Sequence, residues 1–266
     1  MPASPNRLSR AICVAAAGIL AASTLAEEDP GSGTESALIA GTDQTAADFL
    51  ESVGQHTRAR WRLLFRPPPP TPPTDRGRSA LILGTLLGDS FLIWQAGDAQ
   101  QFRNNNQDVL AYCRTLGLGE KLLPRLMTQG NLAERSGWKD LRQEIVDGHQ
   151  EAMRLLREQM DEDLALLIDV GVGLRLLEIV SSLITAAPEM NTMLFVGSPE
   201  LLRELRHDFG RISAAKREEP FMQRVRTVID ESSALWHNVD KTPLTEEQLT
   251  KTNETLKALM QGMVER

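Results

Sequence analysis

The chain has 266 residues, 41% of them hydrophobic and 24% charged, which is enough apolar material for one sizeable core and too much for a disordered polymer. Its formal net charge of −7 argues against nucleic acid as a partner, because a polyanion would be repelled. Two cysteines are too few for a disulfide-built scaffold.

At the N-terminus Arg7 and Arg10 precede an apolar run over 11–22, and Thr24, Leu25 and Ala26 end it with a small-residue cleavage pattern. This predicts a secretory signal peptide over 1–26 and a periplasmic or secreted address. An uncut membrane anchor is the alternative, for which the apolar run is short. Cys13 opens that run without a completed lipobox, so no lipid anchor is expected. Cleavage would leave Cys113 alone, with no intramolecular disulfide, in a still more acidic mature chain.

Residues 27–41 are acidic and rich in Gly and Ser, and read as a flexible leader; 42–266 reads as a single helical domain. A first helix is expected from about 45 to 65. It ends in Arg58, Arg60, Arg62 and Arg66 around Trp61, Leu64 and Phe65, either a solvated face or a dock for an anionic surface. The PPPPTPP run at 67–73 cannot be helical, since proline lacks the amide donor and pushes its predecessor out of the α region. It predicts a stiff polyproline II spacer within 66–76.

Two stretches then dominate: SALILGTLLGDSFLIWQA at 79–96 and LALLIDVGVGLRLLEIVSSLITAA at 164–187. Both are apolar on every side, so each must be enclosed. A bilayer is the weaker explanation. The second stretch carries Asp169, Arg175 and Glu178, each costing about 2.5 kcal/mol or more near a bilayer centre, and the first is short and contains Asp89. No transmembrane span is expected after signal cleavage.

Between them, Gly97 and Asp98 predict a break, followed by a helix with Phe102, Val109, Cys113 and Leu116 inward. A short helix from Leu122 is expected to stop at Gly130, and a long amphipathic one carries Trp138, Leu141, Ile145, Ala152 and Leu155. Asp161 is placed as the cap of the second core stretch and Pro188 as its stop. Beyond it, Ser198 and Pro199 open a helix with Leu201, Leu205 and Ile212 inward. Phe221 to Val239 and Leu249 to Met263 step by four and three, with Thr245 and Gln248 as a capping box. The fold class expected is all-α, a multi-helix bundle around two central hydrophobic helices with a C-terminal antiparallel helical hairpin.

On a helical wheel Gly171, Arg175, Glu178, Ser182 and Thr185 fall within about 80°, one polar seam, with Asp169 about 160° away. On the first core helix Gly84 and Gly88 share a face, while Asp89 falls among apolar residues. A buried ionised carboxylate must be paired, hydrogen-bonded or protonated. The candidate ligand-binding residues are therefore Asp89, Asp169, Arg175 and Glu178, either converging on one pocket or each fixing helix register through an arginine. The glycines predict close helix approach; no strand or basic residue flanks them as a phosphate loop would need. The four histidines are scattered, no metal ligand set is recognisable, and no cofactor and no catalytic residue is assigned.

Three functions remain open: a non-enzymatic interaction or scaffold module that contacts another envelope protein, a binder of a small apolar ligand between the central helices, or an acid/base hydrolase using paired carboxylates. The order of LGTLLGDSFLIWQAGDAQQF at 83–102, the LG-rich turn near Leu116, LALLIDVGVGLRLLEIV at 164–180 and VDKTPLTEEQLTKTNETLKALMQGMV at 239–264 resembles a family of secreted, all-helical bacterial proteins of unknown function. The resemblance spans most of the mature chain and implies an all-α fold; it brings no activity with it.

Overall fold

Enclosing two all-round apolar helices takes a layer of amphipathic ones, and that is how the chain is used. The computed structural model describes residues 46–186, 198–236 and 244–264. The expected signal peptide and leader, the stop at Pro188 and the inward Val239 lie outside them. Among the described residues there is no strand, and the fold is all-α as expected. The elements are α1 (Ala46–His56), a 3-10 turn (Trp61–Leu64), α2 (Arg76–Ala96), α3 (Ala99–Thr115), α4 (Gly119–Glu134), α5 (Trp138–Glu158) and α6 (Glu162–Ala186). They continue as α7 (Ser198–Arg211), α8 (Ala214–Arg217), α9 (Pro220–Trp236) and α10 (Glu246–Val264).

Local chemistry sets the boundaries. The Asp75 carboxylate accepts from the amides of Gly77 (2.8 Å) and Arg78 (3.1 Å) and starts α2. Gly97 ends it with φ of 63°, a conformation open to glycine at little cost. Asp98 then caps α3 through the Gln101 amide at 3.0 Å. The capping box of α10 is present: Thr245 N donates to Gln248 Oε1 at 2.9 Å, and Gln248 N to Thr245 Oγ1 at 3.2 Å.

The two core stretches, α2 and α6, are buried over nearly their whole length. They lie against each other in parallel, since Gly84 of α2 meets Ile168 and Gly171 of α6 while Gly88 meets Val172 and Arg175. A Cβ on Gly84 would run into the Ile168 carbonyl, and one on Gly171 would stand 2.9 Å from Gly84 Cα. This crossing needs glycine on both helices. Parallel neighbours require a return path, and α3, α4 and α5 supply it. α7 covers α6, α9 packs on α7, and α10 lies across α6 and α9. The C-terminal carbonyls of α10, Gly262 and Met263, accept from Arg78 at 2.8 and 3.1 Å, so α10 runs antiparallel to α2. Among the described residues α2 is one helix long and apolar enough to cross a bilayer; it is largely buried inside the fold.

Three elements depart from the sequence expectation. The first helix stops at His56; the chain then packs Trp61, Leu64 and Phe65 against the core around a 3-10 turn and leaves that turn extended at Phe65 (ψ 137°), ahead of the proline run. α4 runs through Gly130 to Glu134, because one interior glycine costs only about 1 kcal/mol while Leu132 and Ala133 gain burial. The proline run is no free spacer. It is a strap on the body, its Pro70 carbonyl held by Tyr112 Oη (3.2 Å) and its Pro73 carbonyl by Ser79 Oγ (2.9 Å).

Candidate functional site

Asp89 lies near the middle of α2, one position past Gly88, where the helices are close enough for Arg175 of α6 to reach it. Its Oδ1 accepts from Arg175 Nε at 2.6 Å and its Oδ2 from Arg66 Nη2 at 2.5 Å. Arg66 comes from the strap, just before the prolines, and also reaches the Thr85 carbonyl at 3.4 Å. Arg175 is fully enclosed: Nη1 pairs with Glu178 one turn on, and Nη2 donates to the Leu64 carbonyl at 2.6 Å, which the end of the 3-10 turn leaves open. Glu178 Oε1 accepts from Ser182 Oγ at 3.3 Å, and Asn253 of α10 donates to Ser181 and Ser182 Oγ at 3.0 and 2.7 Å. The polar seam is thus a chain of polar contacts from strap to α10, charge-assisted from Arg66 as far as Ser182 and neutral from there to Asn253.

Burial alone would raise the Asp89 pKa; the guanidinium groups of Arg175 and Arg66 overcome it and hold the carboxyl below its ordinary range. Burial lowers Arg175 to about 10, with Asp89 opposing that fall, so it stays protonated at neutral pH. Asp89 is therefore an ionised structural partner rather than a base poised near neutrality.

The seam backs a cavity of about 480 Å³. Ile82, Leu86, Met260 and Met263 form apolar walls from α2 and α10, Phe65 and Pro67 to Pro69 form a third from the strap, and Asp89, Glu178 and Ser182 lie at the polar end. On the other side of the strap a smaller hollow of about 260 Å³ is lined by Gln101, Asn104 and Asp108 of α3 and shares Arg66 and Asp89.

Of the candidate residues, the structure brings Asp89, Arg175 and Glu178 together and places Asp169 elsewhere. Asp169 precedes Arg175 by six residues, roughly 9 Å along the axis of α6, and looks toward α5 and α7. His149 Nε2 of α5 lies 3.0 Å from its Oδ1, both side chains fully enclosed. Asp208 of α7 completes this second cluster. Its Oδ1 is 3.2 Å from His207 Nδ1 and 3.9 Å from Arg211, and its buried Oδ2 has no hydrogen-bond partner. Burial first, and the Asp169 charge second, push the Asp208 carboxyl up to about 6 against the pull of His207 and Arg211.

The sequence reading had Arg66 only as one of a basic cluster, without its place at Asp89, and missed Asp208. Asp208 had a visible signal: it sits three residues after Leu205 and four before Ile212, on the face already assigned inward. Arg66 had none, because its role depends on where the strap lies. In the basic cluster, Arg58 and Arg60 are exposed and Arg62 pairs with Asp98 at 3.2 Å. Cys113 is buried, and burial pushes its thiol up to about 12, the behaviour of a small apolar side chain. Among the described residues no group of three potential ligands is arranged to hold a metal.

No protein-family model, no curated protein and no solved structure matches the chain.

Proposed function

We propose that this chain is an exported, non-enzymatic binding protein for a small, largely apolar molecule, held in the cavity between α2, α10 and the strap. The observation that carries the reading is the cavity itself: about 480 Å³, with three apolar walls and a short polar end built from buried, mutually paired side chains. That volume lies in the range of small-molecule sites, roughly 300–1,000 Å³, and few polar groups against apolar walls is their usual chemistry. The inward seams of α9 and α10, the faces a scaffold would use to grip a partner helix, are buried within the fold through Val225, Val228, Leu249 and Leu256. The other function from the sequence, a hydrolase built on paired carboxylates, draws no support from Asp89 and Asp169 lying in separate clusters.

The test uses N-phenyl-1-naphthylamine, an uncharged apolar fluorophore. Saturable brightening at one probe per chain is expected, and it should be lost in Gln261→Trp, which adds bulk at an exposed position on the cavity rim while the circular dichroism stays helical. A linear, unsaturable rise, or an unchanged titration in the variant, would remove the proposal.

A further inference from the structure

Which acceptors and donors around the cavity are already occupied tells what head group it would take. All four carboxylate oxygens at its polar end have partners: Asp89 Oδ1 and Oδ2 take Arg175 and Arg66, and Glu178 Oε1 and Oε2 take Ser182 and Arg175. A ligand cation would have to share these oxygens with guanidinium groups already in contact with them, against the repulsion of Arg66 and Arg175. The hydroxyl of Thr85 already donates to the Ile82 carbonyl at 2.8 Å. The donors are less complete. Arg175 has all of its nitrogens engaged, whereas among the described residues Arg66 bonds through Nη2 alone, leaving Nε and Nη1 without an acceptor, and Lys257 on α10 lines the same cavity, is exposed and pairs with no described carboxylate. The charges agree: Asp89 and Glu178 are balanced by Arg66 and Arg175, so Lys257 is the surplus charge at the cavity.

We infer that the ligand is an amphiphilic anion, an apolar chain carrying a carboxylate or similar acid group, with its tail between Ile82, Leu86, Met260 and Met263 and its head at Lys257 and the open side of Arg66. The inference rests on the cavity being a binding site. It specifies the ligand further, because an apolar cavity alone would accept a neutral or cationic chain equally well. Charge-assisted hydrogen bonds from ammonium and guanidinium to a carboxylate supply the selectivity, and the exposed position of Lys257 makes that part screened by salt.

The experiment compares dodecanoate, dodecanol and dodecylammonium, which share one tail, by calorimetric titration of the full chain at pH 8 below their micellar concentrations. Dodecanoate is expected to bind about five- to tenfold more tightly than dodecanol, and dodecylammonium more weakly than either. Lys257→Met, a change at an exposed site, should bring dodecanoate close to dodecanol; Lys257→Glu should reverse the order of anion and cation. Equal binding of all three tails, or an unchanged dodecanoate affinity in Lys257→Met, overturns the anionic head while leaving the cavity reading in place. Binding of none of them overturns both.

Discussion

At the scale of single residues, the two buried acids on α2 and α7 behave oppositely because their neighbours do. Asp89 faces two guanidinium groups, so its charge stabilises the fold above the ordinary carboxylate pKa, and that contribution is lost as pH falls through its lowered value. Asp89→Asn should destabilise by about 3–5 kcal/mol in urea unfolding at pH 7, since it removes the buried charge that Arg175 Nε and Arg66 share. Asp208 feels the negative charge of Asp169, which His207 and Arg211 offset in part. Its folded pKa of about 6 lies above the ordinary 3.8, so between those values the native chain holds a proton that the unfolded chain has released. Stability from this group therefore declines as pH rises from about 4 to 6 and is flat above, by about 3 kcal/mol at most. Asp208→Asn should flatten that window and raise the midpoint of thermal unfolding at pH 7; an unchanged pH profile would show that the proton sits elsewhere.

At the scale of elements, what was legible in the sequence is what depends on near neighbours. The break at Gly97 and Asp98, the capping box of Thr245 and Gln248 and the inward faces of α9 and α10 follow from residues three or four apart, and they stand where the pattern put them. The glycine faces of α2 and α6 were legible too, as the lack of side chains on one stripe. Partners contributed from afar were not legible: nothing within Pro67 to Pro73 indicates that Tyr112 and Ser79 hold it down, or that Arg66 ends on Asp89. The α4 boundary failed for the same reason, as tertiary packing outweighed the roughly 1 kcal/mol cost of one interior glycine. Two glycine substitutions separate these effects. Gly84→Ala drives a methyl into the Ile168 carbonyl and should cost about 3 kcal/mol or more. Gly130→Ala, whose Cβ would meet only Asn106 Nδ2 at 3.8 Å, should stabilise by up to about 1 kcal/mol. Equal effects in thermal melts would contradict the parallel α2–α6 crossing.

For the whole molecule, the arrangement joins a closely packed pair of helices, a strap held by Tyr112, Ser79 and Arg66, and α10 around an apolar cavity whose polar end is internally neutral. A ligand that binds only this folded form adds stability by mass action, about 2.7 kcal/mol at a hundredfold excess over its Kd. The most direct check is to see where an amphiphile goes. Crystals grown with ω-bromododecanoate should show the bromine anomalous signal among Ile82, Leu86, Met260 and Met263, with the carboxylate near Lys257. A bromine confined to the outer surface, with the cavity unoccupied, would contradict a binding function for it.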